Sequence, residues 1–155
     1  MVGKLVLSLT ILGFAGTAPA PDQFAGTWRL SVANSKFAAG VGVKALSVVI
    51  VEAGANLVVS ETGTDGAGEA ISIKYTFPAK GGDLSFAAGA PASEETVTIA
   101  RLGETTLNTI THRNGFEVGT SLITLSGDGK TLTRSVKSVD ASGKVLTNTE
   151  VYQRQ

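Results

Sequence analysis

The sequence predicts an all-β protein, a single antiparallel up-and-down β-barrel of about 8 to 10 strands. Beyond Pro21, almost every segment alternates apolar and polar residues with a period of about two, which is typical of half-buried strands. Gly, Asn and Asp residues close these segments, as in β-hairpins. No segment reads as a helix long enough for a crossover, so the strands follow one another as hairpins. Closure into a barrel removes the exposed edges of such a sheet.

The N-terminal segment predicts export. Residues 1–20 read as a signal peptide, with Lys4, an apolar run over 5–14 and a small-residue end, and residues 21–155 form the folded domain. The apolar run is about half the ~20 residues that a membrane-spanning helix needs, so we expect no stable membrane insertion. The expected location is periplasmic or secreted. Cleavage after Ala20 would leave a proline first, so the position of the cut stays open.

Composition excludes several classes of function. The chain has 155 residues, no cysteine and a formal net charge of zero. Without thiols it has neither disulfides nor thiolate-held metals, and we expect no cofactor. Without a basic excess, nothing indicates binding to nucleic acid.

The strands of the N-terminal half follow from their alternation. The first carries Trp28, Leu30 and Val32 on one face. A later strand has Tyr75 and Phe77 on one face and ends at Pro78. That strand spans residues 71–77. The other segments predicted as strands are 45–51 and 57–61, around the turn 53–56, a short strand near Leu84 and Phe86, and 96–101.

Asn114-Gly115 is the strongest hairpin signal of the C-terminal half, since it fits a two-residue turn with positive φ at both positions. The resulting register pairs Thr111 with Val118, Thr109 with Thr120 and Leu107 with Leu122. It places His112 on the outer face beside Glu117.

Two further turns position Arg134. Gly127-Asp128-Gly129 fits a three-residue loop that pairs Arg134 with Leu122 and Val136 with Thr120. The last turn lies at 140–143. If it has three residues, Arg134 faces Glu150, and if it has four, Arg134 faces Thr149 and stays free for a ligand carboxylate. Both alternatives remain open at the level of sequence.

Several motifs carry a family resemblance. The segment Phe24-Ala25-Gly26-Thr27-Trp28-Arg29-Leu30 resembles the first strand of the calycins, the lipocalins and fatty-acid-binding proteins. With Asn34-Ser35-Lys36-Phe37, residues 126–133 and Val151-Tyr152, the chain resembles a group of small exported bacterial lipocalin-like proteins of unknown function. The resemblance implies a lipocalin-like barrel, with Gly26 and Trp28 at its floor and Arg154 as the candidate basic side chain across the tryptophan.

The candidate ligand site lies on the face predicted to point inward. Arg134 places a charge on that face, and a buried charge is costly unless it is paired with an opposite charge or hydrated. Several inward positions carry only threonine, so a cavity for one small molecule is plausible. We expect an apolar or amphiphilic ligand. The predicted binding residues are Arg134, Tyr75, Phe77, Phe116, Thr120, Leu122 and Thr109.

Catalytic and metal sites are not indicated. His112 is the single histidine and is predicted on the outer face, so neither a catalytic triad nor a histidine-held metal is expected. The reading favoured is a barrel that binds a small apolar or amphiphilic molecule. The alternatives are an envelope-associated structural or interaction protein with a filled barrel and, third, a small-molecule isomerase or lyase using inward Arg, Tyr or Glu side chains.

Overall fold

The computed structural model describes residues 20–40, 42–90 and 95–155. Apart from Ala20, the predicted signal peptide lies outside the described residues. Within them, no helix is both long enough and apolar enough to traverse a lipid bilayer.

The described residues form one antiparallel sheet of eleven strands and a short 3-10 helix, Val32–Asn34. The strands are β1 (Gly26–Leu30), β2 (Val43–Ala53), β3 (Asn56–Asp65), β4 (Ala70–Pro78), β5 (Gly81–Asp83), β6 (Ser85–Ala88), β7 (Glu95–Arg101), β8 (Thr106–Arg113), β9 (Phe116–Leu125), β10 (Thr131–Val139) and β11 (Val145–Arg154). Their order in the sheet is β5-β7-β8-β9-β10-β11-β1-β2-β3-β4-β6. The all-β, antiparallel prediction is therefore confirmed.

The predicted count of 8 to 10 strands is wrong, because the segment around Leu84 and Phe86 forms two strands rather than one. β5 pairs with β7, whereas β6 pairs with β4. Only Leu84 separates them, and its N–H donates to the carbonyl of Val97 at 2.8 Å. One stretch of chain thus changes partner from one edge of the sheet to the other, which leaves the barrel nearly closed.

One end of the barrel is sealed around Trp28, which is fully buried. The indole Nε1 donates to the carbonyl of Phe24 at 2.9 Å, and the guanidinium carbon of Arg154 lies 4.1 Å from the centre of the indole ring. Arg154 also donates to the carbonyls of Ala25 and Gly129, each at 2.7 Å. A β-carbon on Gly26 would lie 2.5 Å from Arg154 Nη1, so only glycine leaves room for this stacking. We call this end the floor.

The register of β9 differs from the prediction by one residue on both sides. On the β8 side, His112 pairs with Glu117 as predicted, but Thr111 pairs with Gly119, which leaves Val118 as a bulge. The pairs of Thr111 with Val118, Thr109 with Thr120 and Leu107 with Leu122 are therefore wrong. Thr109 pairs with Ser121 and Leu107 with Ile123.

The loop after β9 also shifts the register, here between β9 and β10, by one residue in the same direction. Ser126 and Thr131 close it, since the N–H of Ser126 donates to the carbonyl of Thr131 at 2.9 Å and Ser126 Oγ accepts from the Thr131 N–H at 2.9 Å. Four residues lie between them instead of three. Arg134 consequently pairs with Ile123 and Val136 with Ser121, not with Leu122 and Thr120.

A shift by one residue exchanges the two faces of a strand. The predicted inward placement of Leu122 is therefore wrong, and its side chain is 43% exposed. Phe116 keeps its predicted partner Arg113, but it directly follows the turn at Gly115 and is 76% exposed, so its predicted inward placement is also wrong. The inward faces of β8 and β10 are as predicted, because the error in register lies in β9 alone.

The last hairpin decides between the two alternatives for Arg134. Asp140 and Lys144 close the turn, with the N–H of Asp140 donating to the carbonyl of Lys144 at 3.0 Å. Three residues lie between them, so Arg134 faces Glu150 across the strands.

Gly63 gives a test of the packing between β2 and β3. A β-carbon there would overlap the carbonyl oxygen of Ala45 and lie 2.8 Å from the Cα of Leu46, next to the irregularity in β2. We expect Gly63→Ala to lower the free energy of unfolding by about 1–3 kcal/mol in urea denaturation, because the backbone must move. Gly127→Ala is the control: nothing lies within 4 Å of its β-carbon, and a change within about 0.5 kcal/mol is expected. Equal stability of the two variants would contradict the close approach.

Candidate functional site

A cavity of about 470 Å³ lies inside the barrel above the floor. Most of its lining is apolar, and the polar side chains that reach it are few. The apolar side chains are those of Phe24, Trp28, Val48, Ile50, Val59, Ile73, Phe77, Leu84, Phe86, Val97, Ile99, Leu107, Ile123 and Leu132. The polar ones are those of Glu61, Tyr75, Thr109, Ser121, Arg134 and Tyr152.

The guanidinium of Arg134 lies between two carboxylates. Its Nε and Nη2 donate to Glu150 Oε2 at 2.7 and 2.6 Å, and its Nη1 donates to Glu61 Oε1 at 3.3 Å. The side chains of both glutamates are 8% exposed, and that of Arg134 is 24% exposed. This is a buried ion triad, in which loss of one partner would leave an uncompensated charge.

Two tyrosines complete the cluster. Tyr75 Oη donates to Glu61 Oε1 at 2.9 Å, and Tyr152 Oη donates to Glu150 Oε2 at 2.6 Å. Burial raises the pKa of both phenols well above the ordinary value, and the adjacent carboxylate raises each further. Both tyrosines are therefore neutral hydrogen-bond donors near neutral pH. We call Glu61, Tyr75, Arg134, Glu150 and Tyr152 the polar cluster.

The strand registers explain how the polar cluster forms. Arg134 and Glu150 are directly opposite on β10 and β11, and Tyr152 follows Glu150 at the next inward position. Glu61 is on β3, where Leu57 and Val59 precede it on the same face. Since β10 and β3 are not neighbours in the sheet, the contact between Arg134 and Glu61 crosses the interior of the barrel.

The charge of the polar cluster is not balanced. Burial opposes the charge of Arg134, but the anionic form of Tyr152 and the carboxylates of Glu61 and Glu150 outweigh burial and raise the pKa of the guanidinium. The arginine therefore stays protonated. With two carboxylates against one guanidinium, the cluster carries a formal charge of about −1.

A more polar recess of about 280 Å³ adjoins the cavity on the side away from the floor. Thr109 and Ser121 line both spaces, and their hydroxyls share a hydrogen bond of 2.5 Å. Towards the open end, Arg113 forms an ion pair with Glu95, with 2.9 Å between Nε and Oε1. The interior thus changes from apolar at the floor to charged near the opposite end.

The predicted binding residues divide into three groups. Arg134, Tyr75, Phe77 and Thr109 line the cavity. Thr120 lines the recess instead of the cavity. Phe116 and Leu122 are exposed and line neither space.

Sequence reasoning missed two residues of the polar cluster. Glu61 alternates with Leu57 and Val59 on a predicted strand, so its inward direction could have been inferred. Tyr152 enters the sequence analysis only as part of the family resemblance, and nothing there placed it in the ligand site. His112 pairs with Glu117 and lines neither space.

Comparison with solved structures identifies the class of fold. The S-type phycobiliprotein lyase CPES from Guillardia theta superposes with a TM-score of 0.58 at 16% identity, over 86% of this chain and 89% of the lyase. EF1p2_mFAP2b, solved bound to DFHBI, gives 0.50 at 11% identity, over 86% and 94%. Siderocalin Ex-FABP gives 0.41 at 15% identity, over 86% and 71%. The fold is that of a lipocalin-like barrel.

In sequence, neither a protein-family model nor a curated protein matches the chain.

The tyrosines predict a loss of stability at alkaline pH. In the folded state their pKa values are raised, so folded protein keeps phenol protons that the unfolded chain releases above about pH 10. Their contribution is fully present below that pH and is lost as the pH rises. We expect the free energy of unfolding to fall by up to about 1.4 kcal/mol per pH unit for each tyrosine.

The measurement is urea denaturation from about pH 8 to pH 11, comparing the unmodified protein with a Tyr75→Phe, Tyr152→Phe variant. The variant should lose stability less steeply, since lysines and arginines titrate equally in both proteins. The chain has only these two tyrosines, so tyrosinate absorbance reports on the site alone. Titration of folded protein with a pKa near 10 would contradict the buried donors.

Proposed function

We propose that this protein binds a small apolar or amphiphilic molecule inside the barrel. The single observation that carries the proposal is the 470 Å³ cavity, with apolar walls and one polar cluster. Binding sites for small molecules have about 300–1,000 Å³ and combine an apolar lining with a few convergent polar groups. A similar barrel, EF1p2_mFAP2b, was solved with DFHBI bound, which supports the proposal by analogy of fold.

The cavity favours binding over a filled, purely structural barrel. At mid-height the inward residues of β8 and β9 are Thr109 and Ser121, whose small side chains leave space. The polar cluster faces that space, so apolar side chains cannot fill it without burying charge.

Binding is also favoured over catalysis. In the polar cluster, Tyr75 and Tyr152 are neutral donors to carboxylates, and Arg134 is occupied by the same carboxylates. Neither the two phenols nor the guanidinium is a ready nucleophile or a free base.

Filling the cavity should weaken the binding of a small apolar molecule. We expect Ile123→Trp to weaken the binding of the neutral fluorophore Nile red at least about tenfold, or 1.4 kcal/mol, because the larger side chain enters the cavity. Leu122→Trp is the matched control, since Leu122 is the adjacent residue on the outer face, and its effect should stay within about twofold. The readout is fluorescence titration, with circular dichroism to verify folding.

Equal affinities of the two folded variants would place the probe outside the barrel and contradict the proposal. If the affinities differ as expected, the natural ligand is sought by exposing purified protein to lipid extract of its own host and identifying co-purifying molecules by mass spectrometry.

We further propose that the protein is exported and acts in the periplasm or outside the cell, on the basis of residues 1–20. In a bacterial host, the full chain should appear in the periplasm or medium with an intact mass that lacks about 20 N-terminal residues. Leu9→Asp, which interrupts the apolar run, should keep the precursor in the cytoplasm. Unprocessed, unmodified chain in the cytoplasm would exclude export.

A further inference from the structure

We infer that the polar cluster selects ligands whose polar end donates hydrogen bonds and carries positive charge, such as a protonated amine, over ligands that end in a carboxylate. This inference rests on the proposed binding function. It departs from one of the two alternatives that the sequence left open, in which Arg134 stays free for a ligand carboxylate.

Arg134 is already committed to carboxylates of the protein. Its Nε and Nη2 donate to Glu150 Oε2, and its Nη1 donates to Glu61 Oε1. A ligand carboxylate could reach the guanidinium only by competing with these partners. It would also bring a third negative charge beside two glutamates and one arginine.

Glu61 has an oxygen available for a ligand. Its Oε1 accepts from Tyr75 and Arg134, whereas its Oε2 has no hydrogen-bond partner among the described residues. Every fully buried side-chain nitrogen or oxygen in that part of the chain has a hydrogen-bond partner. Oε2 has none, so it is not fully buried and a small molecule can reach it. The side chain is 8% exposed and Glu61 lines the cavity. The open position is thus an acceptor on a carboxylate.

The surroundings strengthen this preference. The wall around the polar cluster is apolar, and charges interact more strongly there than in water. The net charge of the cluster is negative, so a cation is attracted and an anion is repelled. Charge-assisted hydrogen bonds from an ammonium to a carboxylate are also about twice as strong as neutral ones.

The position of the cluster sets the orientation of the ligand. Val59 and Leu132 precede Glu61 and Arg134 by one inward position on the floor side and line the cavity. The apolar part of the ligand therefore lies towards Trp28, and its donor group lies at the height of Glu61.

The test compares decylamine, decanol and decanoate, which share one apolar chain and differ in the end group. Competition with Nile red at neutral pH should rank them amine, alcohol, carboxylate. We expect the amine to bind at least about tenfold more tightly than the carboxylate, a difference of 1.4 kcal/mol.

Glu61→Gln removes the charge and keeps the size, so it should remove most of the amine preference while leaving decanol affinity within about twofold. Glu117→Gln is the matched control: it makes the same change at an exposed position and should leave the ranking intact.

The outcomes separate the two proposals. Decanoate binding as tightly as decylamine, or an unchanged preference in folded Glu61→Gln, would overturn the inference while leaving the binding function in place. If none of the three compounds displaces the probe, the inference is also overturned. The binding function itself is wrong only if Nile red binds the Ile123→Trp and Leu122→Trp variants equally, and the inference then falls with it. The ranking is measured on the unmodified protein, so it decides the question even if Glu61→Gln does not fold.

Discussion

The interior of this barrel depends on one ion triad, in which the guanidinium of Arg134 lies between Glu61 and Glu150. Buried charges are tolerated only when their partners are present, and here the partners come from β3 and β11. The contact to β11 is between neighbouring strands, but the contact to β3 spans the barrel. The triad therefore joins two walls that share no backbone hydrogen bonds.

The same triad explains why the barrel is hollow at this height. Large apolar residues packed against Arg134 and the glutamates would remove these charges further from water, which is costly even for paired ions. The positions facing the cluster are instead Thr109 and Ser121, which satisfy each other through their hydroxyls. On the floor side of these positions, Phe24 and Trp28 are fully buried.

The arginines of the last two strands, Arg134 and Arg154, have different partners. Arg154 covers Trp28 and donates to backbone carbonyls, whose positions are fixed by the fold. Arg134 donates to side chains, whose free oxygens can still be shared with a ligand. The first arrangement closes one end of the barrel, whereas the second leaves a polar position inside it.

The sequence contains most of the fold and about half of the site, and the errors have a common cause. Alternation assigns the more apolar face of a strand to the core, which predicts Leu122 on the inward face of β9. In a hollow barrel the inward face can be small or polar, and β9 presents Gly119 and Ser121 there. The bulge at Val118 and the four-residue loop that produce this register leave no trace in the alternation.

The turn chemistry predicted the order of the strands better than their registers, since the loop after β9 has four residues and not the predicted three. It gave the hairpin order and, for the last turn, two explicit registers, one of which holds Arg134 against Glu150. It could not give the contact of Arg134 with Glu61, because that contact depends on the curvature of the whole sheet and not on any single hairpin. Contacts across a barrel are set by closure, and closure is a property of all strands together.

Closure also gives the unbalanced charge its significance. On an open sheet, the free oxygen of Glu61 would be solvated and would discriminate little between ligands. Inside a nearly closed barrel, water is limited and the walls are apolar, so the same oxygen exerts a stronger influence on whatever enters. A ligand that supplies a donor there satisfies an acceptor that the protein leaves open. Because such a ligand binds only the folded barrel, it also stabilises the fold by mass action.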